Sequence, residues 1–301
     1  MFKTKQRKIT ASLLSVVMFL FAFSTSIVSA SELPSNSKAM SVVSKNLITG
    51  KEGKQTYFEG VEPGDKTSGY SNSFIPEQKP DKGPKKSIIG TDDRFRVDNT
   101  TSFPYSAIAY MEMTWANGAS YIGSAWMYGP NVAMTAGHCL YSSEDGGWPE
   151  KVVIYPGRNG SSSPFGSANA VTIHVPENYA NNGDTNFDWG LIELDKNIGT
   201  ETGYFGASWQ LDSLTGTNVS VTGYPGEKYR ELWKMNDNIK SSRENKIEYT
   251  IDTTGGQSGC PVYLEDDYLS VAIHTNGDFF KRSNKATRIT KGIFDFMESF
   301  K

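Results

Sequence analysis

Three short stretches hold side chains whose types and neighbours suit nucleophilic chemistry. The first is Gly255-Gly256-Gln257-Ser258-Gly259-Cys260-Pro261. A serine hydroxyl is a weak nucleophile and needs a positioned base. It also needs backbone N–H donors aimed at the oxygen on which charge develops, and a glycine-rich turn presents such donors without a side chain in the way. The second stretch is Met134-Thr135-Ala136-Gly137-His138-Cys139, with one of only 3 histidines in the chain. His138 directly follows an expected strand, Asn131–Thr135, which would hold an imidazole rigidly. The third is Phe187-Asp188-Trp189-Gly190-Leu191. A carboxylate between aromatics at the start of an apolar strand is shielded from water and needs a partner. An imidazole N–H would be one, and the carboxylate would fix its tautomer. Each stretch has an ordinary structural explanation, as a turn, a packed histidine or a strand-end carboxylate. The combination points to a nucleophile, a base and an orienting group.

The elements that must position them read as β structure. Short apolar runs at Ser106–Met111, Tyr121–Met127, Lys151–Tyr155, Ala170–Val175, Gly190–Leu194, Asn218–Gly223, Lys246–Asp252, Cys260–Leu264 and Leu269–His274 are separated by turn signals such as Tyr155-Pro156-Gly157 and Asn276-Gly277. This spacing predicts antiparallel barrels or sandwiches. Ile289, Ile293, Met297 and Phe300 recur at helical spacing and predict one C-terminal helix.

The chain has 301 residues, 37% hydrophobic and 21% charged, with a net charge of −3. That balance is globular and lacks the basic surplus expected of a nucleic-acid partner. Residues 1–30 carry Lys3, Lys5, Arg7 and Lys8, then an apolar run, then Val28-Ser29-Ala30. This is the pattern of a secretory signal peptide, removed on export, so the product is expected outside the cell and free of the membrane. From Ser31 to Lys86 large aliphatic residues are rare, and Pro76 to Lys86 has no hydrophobic periodicity. Such a stretch does not offset its ordering entropy by burial. A basic pair, Lys85-Lys86, then meets the apolar start Ser87-Ile88-Ile89-Gly90. Residues 31–86 are therefore expected to be a flexible propeptide and 87–301 the working domain, released by a cut after Lys86.

The order His138, Asp188, Ser258 is that of the chymotrypsin type. Thr135-Ala136-Gly137-His138-Cys139 and Gly255-Gly256-Gln257-Ser258-Gly259 resemble the chymotrypsin-fold serine proteases. More closely, the chain resembles the bacterial glutamyl endopeptidases, the group that includes the staphylococcal V8 protease, and the Bacillus members most of all. The likeness runs through Ser87-Ile88-Ile89-Gly90-Thr91-Asp92-Asp93-Arg94, Tyr155-Pro156-Gly157-Arg158-Asn159-Gly160, Gly203-Tyr204-Phe205-Gly206, Gly223-Tyr224-Pro225-Gly226, Ile273-His274-Thr275-Asn276-Gly277 and Thr287-Arg288-Ile289-Thr290-Lys291. The resemblance implies an all-β fold of two six-stranded antiparallel barrels with the triad between them. It also implies a secreted, monomeric serine endopeptidase that needs no cofactor and acts on peptides after Glu, less well after Asp. The N–H groups of Gly256 and Ser258 would form the oxyanion hole. Thr253, His274 and the amine of Ser87 would read the substrate carboxylate. A separate protease would cut after Lys86, since a Glu-directed enzyme would not.

Several points stay open in the sequence. Asp252 lies six residues before Ser258, where trypsin-like enzymes bind Arg or Lys, so trypsin-like specificity is a rival. An inactive, partner-binding relative is another rival. An exfoliative-toxin-like enzyme is a third, without the amphipathic N-terminal extension that would support it. Gln257 replaces the aspartate that digestive proteases place before the nucleophile. Gly123 stands where the usual partner of the cysteine after the histidine lies. A Cys139–Cys260 bridge across the site is therefore expected, since these are the 2 cysteines present. No zinc spacing occurs, and the acids at Asp92, Asp93 and Asp184 to Asp188 lack a calcium-loop pattern. His174 matches no motif and is expected on a strand surface.

Overall fold

The structure is a computed structural model that describes residues 38–59, 66–76, 92–278 and 283–301. The signal segment, Lys86 and Ser87 lie outside the described residues. In chain order the elements are β1 (Lys38–Asn46), β2 (Glu52–Glu59), β3 (Ser68–Ser71), β4 (Phe95–Arg96), β5 (Ile108–Trp115), β6 (Ser120–Met127), β7 (Val132–Thr135), β8 (Pro149–Pro156) and β9 (Ala168–Pro176). There follow helix α1 (Glu177–Asn182), β10 (Gly190–Leu194), helix α2 (Gly199–Thr202), β11 (Gly206–Gln210), β12 (Asn218–Gly223) and β13 (Trp233–Asn238). The last are β14 (Ser241–Ser242), β15 (Lys246–Tyr249), β16 (Pro261–Tyr263), β17 (Leu269–Asp278), β18 (Ser283–Arg288) and helix α3 (Lys291–Glu298).

Two sheets result. In the first, β10-β7-β6-β5-β8-β9 closes on itself because β10 also pairs with β9. That is the expected six-stranded barrel. Ile173 and Val175 of β9 point inward, and Ala109, Met111 and Met113 of β5 do the same, all nearly fully buried. The second sheet runs β14-β15-β18-β17-β16-β12-β13-β4, with β11 on β17 and β3 on β11. It has 10 strands rather than six. Its core holds Val219, Val221, Ile247, Tyr249, Cys260, Val262 and Ala272.

The residues ahead of Lys86 depart from the flexible segment expected there. β1 and β2 form a hairpin, and β1 pairs antiparallel with β9 from Val42 opposite Pro176 to Asn46 opposite Thr172. The run Met40-Ser41-Val42 alternates, and Met40 and Val42 are buried at 2% and 1% exposure. Lys54 pairs with Glu177 at the start of α1 (2.6 Å), and Tyr57 meets Phe296 edge to face (4.8 Å). Farther on, β3 pairs with β11, and Phe74 exchanges two backbone hydrogen bonds with Tyr204 and stacks on its ring. The absence of periodicity in residues 76–86 does not extend upstream, where Met40 and Val42 alternate into the first sheet, while β3 joins the second by backbone pairing with β11.

α3 forms as its spacing predicts. Thr290 caps it by accepting from Ile293 N, and Ile293, Phe296 and Met297 turn inward. Phe296 packs on Trp189 beside Asp188 (5.2 Å) and on His174 (5.8 Å). His174 is therefore not a surface residue. It is 5% exposed, its Nε2 lies 2.9 Å from Glu193 Oε1, and Phe300 also covers it. The cover comes from the far end of the chain, where no local pattern announces it.

Candidate active site

His138 sits in a one-turn 3-10 segment, Gly137–Cys139, at the end of β7. Asp188 follows another such turn, Thr185–Phe187, and leads into β10, which pairs with β7. This pairing brings the two residues together. Asp188 Oδ1 accepts the His138 backbone N–H, and Oδ2 lies 2.9 Å from Nδ1. The carboxylate is 3% exposed. Burial opposes its charge, but His138 outweighs that and holds Asp188 below the usual carboxylate range. Burial likewise opposes protonation of His138, yet the Asp188 carboxylate holds its imidazole well above the usual range.

Ser258 lies across the interface, in the turn before β16. Ser124 N donates to Ser258 O (2.8 Å), and Gly259 N donates to His274 O (2.7 Å). The turn is thus held to β6 of the first sheet and β17 of the second. Gly259 has φ +89°, and a Cβ there would lie 2.1 Å from Thr135 Oγ1 and 2.2 Å from Ser124 O. Only glycine allows the two sheets to approach this closely. Ser124 was not singled out in the sequence. It is fully buried, its hydroxyl donates to Gly256 O (2.9 Å), and it accepts from Tyr224 N (2.9 Å). No motif marks a serine in mid-strand.

The Ser258 hydroxyl donates to Thr275 O (3.1 Å), not to His138. Among the described residues, the N–H groups of Gln257, Gly259 and Cys260 all have backbone acceptors, while those of Gly256 and Ser258 have none. Gly256 takes φ +98°, which turns its peptide out of the local ladder.

Gln257, read only as a missing aspartate, is 1% exposed and accepts from Arg94 Nη1 (2.8 Å) and from Thr254 N (3.0 Å). Arg94 also binds Asp92, Thr254 and Glu227. The segment Asp92–Arg94 is thereby fastened to the turn that carries Ser258. Asp252 is exposed, and its carboxylate accepts from Asp93 N (3.4 Å). It faces the N-terminal segment at the surface. Thr253 is partly buried in the same loop. His274, adjacent to Thr275, is 2% exposed, and its Nδ1 lies 2.6 Å from Tyr249 OH. Burial, then the nearby His138 and Lys246, push its imidazole down to about 3. Tyr249 is buried and its phenol is raised well above the usual range, so it stays protonated and shares a hydrogen bond with the neutral His274 imidazole at Nδ1. Tyr249 was a further residue the sequence did not single out.

The expected Cys139–Cys260 bridge is absent, and both thiols are free and buried. They face different partners. Cys139 Sγ lies 3.9 Å from Ser258 O and 3.2 Å from where a Cβ on Gly123 would stand. Cys260 turns into the second core, its Sγ 3.1 Å from the corresponding point on Gly223. Burial raises the Cys260 thiol.

A cleft of about 440 Å³ opens beside His138, between Tyr141, Ser142 and Glu144 on one side and Tyr179 and Asn181 of α1 on the other. Among the described residues no three His, Cys, Asp or Glu converge as a metal site would require.

Comparison with known proteins agrees with this geometry. The family model described as Trypsin matches residues 94–293. The chain is 42% identical to a glutamyl endopeptidase of Bacillus licheniformis over 75% of this chain and 73% of that protein. It is 39% identical to a Bacillus subtilis protein named extracellular metalloprotease over 69% of this chain and 68% of that one. The solved structure of a Glu endopeptidase in complex with MPD superposes with a TM-score of 0.63 at 33% identity, covering 71% of this chain and 99% of that one. With the barrel pair, the His138–Asp188 couple and the Ser258 turn in place, the chain belongs to the trypsin family of serine endopeptidases, in its glutamyl endopeptidase branch.

Proposed function

We propose that this chain is the precursor of a secreted endopeptidase that cuts after Glu, less well after Asp, through an acyl-enzyme. In this reading His138 takes the proton of Ser258 as the hydroxyl attacks the scissile carbonyl. Asp188 holds the imidazole in the right tautomer and stabilises its charged form. The N–H groups of Gly256 and Ser258 receive the oxyanion, and loss of one such donor costs about 10²–10³ in turnover. Water then releases the acyl group by the reverse path.

The observation that carries the Glu preference is the Tyr249–His274 pair. His274 is buried, neutral and hydrogen-bonded at Nδ1 to Tyr249, beside the residue whose carbonyl accepts the Ser258 hydroxyl. A neutral imidazole without substrate and a charged one with it would match a substrate carboxylate. Thr253 and the Ser87 amine complete the pocket in this reading. Ser87 lies five positions before Asp92, an extended reach of about 17 Å, and Asp92–Arg94 already lies along the Thr253–Gln257 loop. Asp252, exposed and turned to Asp93, does not supply the buried base of an Arg or Lys pocket. Among the described residues no helix is long and apolar enough to cross a membrane. A separate protease cuts after Lys86, and the product works as a monomer without cofactor.

The test is cleavage, by the matured chain, of peptides differing only at P1 among Glu, Asp, Arg, Lys, Phe and Ala, with Ser258→Ala alongside. Glu should lead by at least tenfold over Arg and Lys, and Ser258→Ala should abolish turnover. Preference for Arg would overturn the pocket assignment, and activity in Ser258→Ala the triad.

A further inference from the structure

One partly buried charge near the proposed triad has no place in the mechanism above. Lys246 opens β15 opposite Thr287 of β18. Ile247 and Tyr249 fill the second core, so Lys246 lies on the opposite face, toward the loop that carries Asp188. Its Nζ donates to Thr287 Oγ1 (3.0 Å) and to Thr275 Oγ1 (3.4 Å). The Thr287 hydroxyl spends its own proton on Asp188 O (2.8 Å) and is fully buried. The Thr275 hydroxyl donates to Asn276 Oδ1 and Lys285 O. Both hydroxyls are therefore acceptors toward the ammonium. Among the described residues no carboxylate makes an ion pair with Lys246. The Asp188 oxygens are taken by the backbone and ring of His138.

A buried cation needs an anion to offset its desolvation. Those acting on Lys246 are Asp188 and Asp184, with Lys285 opposing. We propose that Lys246 is a positioning residue of the triad: held behind Asp188 by the Thr275 and Thr287 hydroxyls, its ammonium offsets the Asp188 carboxylate and keeps His138 free to act as the base. This rests on the triad reading above. Asp188 alone holds the imidazole toward its protonated form, and a protonated imidazole takes no proton from Ser258. Burial brings Lys246 down to about 8, so it is charged through the neutral range. The other groups facing His138 are Cys139 beside it, His274 from β17, Tyr179 from α1 and Glu144 across the cleft.

The sign follows directly. Removing a cation near the His–Asp couple favours the charged imidazole and moves its titration upward, by on the order of one pH unit. The experiment measures kcat/KM against pH for the matured chain and for Lys246→Met, Lys246→Gln and Lys246→Arg. The rate of Ser258 modification by a small sulfonyl fluoride is followed in parallel. That reagent uses the same base but carries no P1 carboxylate, so changes at His274 do not enter. The acid limb of both profiles should move up by about one unit in Lys246→Met and Lys246→Gln, a loss of about tenfold below the limb with recovery at higher pH. Lys246→Arg should restore the wild-type limb. Lys246→Gln still donates to the two hydroxyls, so it carries the test if Lys246→Met unfolds. A uniform loss at every pH, or an unmoved or lowered limb, would overturn the proposal while leaving the triad intact. Activity in Ser258→Ala would instead remove the triad reading.

Discussion

Gly123, on β6, offers a direct test of how that strand is placed against the His138–Cys139 turn. A Cβ there would stand 3.2 Å from Cys139 Sγ, near the separation that a disulfide requires. The other close atoms are Met111 Cε at 3.1 Å, the free end of a flexible side chain, and Ser258 O at 3.5 Å. Gly123→Cys should therefore bond to Cys139 with little backbone movement. The closed loop of about 17 residues predicts a gain of about 3 kcal/mol by the loop-closure relation. For a domain of this size that is about 6–12 °C in Tm. Thiol titration of the oxidised, denatured variant should find one free group, Cys260, against two in the wild type. Scanning calorimetry with and without reductant gives the stability change. Three free thiols after oxidation, or a Tm that does not fall on reduction, would refute the placement of Gly123 against Cys139.

Three further outcomes follow from the same geometry. Gly259→Ala drives a methyl into Thr135 Oγ1 and Ser124 O at a positive φ, and should destabilise by at least about 3 kcal/mol in urea unfolding; a loss under 0.5 kcal/mol, on the order of a surface change, would contradict it. His274 titrates near 6.5 unfolded but at about 3 folded. Its contribution to stability is therefore intact above 6.5 and is lost as pH falls from there toward 3, by at most about 1.4 kcal/mol per unit. His274→Gln should flatten the urea midpoint over that window, and an unchanged slope would show the imidazole is not held neutral. Tyr249→Phe removes the hydroxyl bonded to His274 Nδ1 and should raise KM for a P1 Glu substrate about tenfold with kcat little changed; a fall in kcat alone would place Tyr249 elsewhere in the mechanism.

The strands that build the first barrel were legible because short apolar runs are separated by turn signals, as at Lys151–Tyr155 before Pro156-Gly157. The stretches that hold His138, Asp188 and Ser258 were legible because each sits beside a strand end with glycines or aromatics that restrict the chain. What escaped depends on contacts between distant segments. Cys139 and Cys260 are both close to the site, but one faces Gly123 and the other Gly223, and spacing does not reveal which way a side chain turns. His174 carries no local sign that α3 will cover it. Ser124 and Tyr249 look like ordinary strand residues until the second sheet is placed against the first. In Met40-Ser41-Val42 the alternation was present, but the polar composition around it, and the patternless stretch from Pro76 to Lys86, concealed it.

The added strands give the proposed cut a thermodynamic side. While the chain is whole, β1 to β3 compete for their edges at the effective concentration set by covalent linkage, on the order of millimolar. A cut between residues 76 and 92 would convert this into a two-body equilibrium. Occupancy of the β9 and β11 edges would then fall with dilution, and each departure would uncover sheet edges and the sites of Met40 and Val42, worth about 1.5–3 kcal/mol apiece. The melting temperature of the whole chain would be independent of its concentration, whereas that of a cut chain would rise with it for as long as the two pieces share a solution.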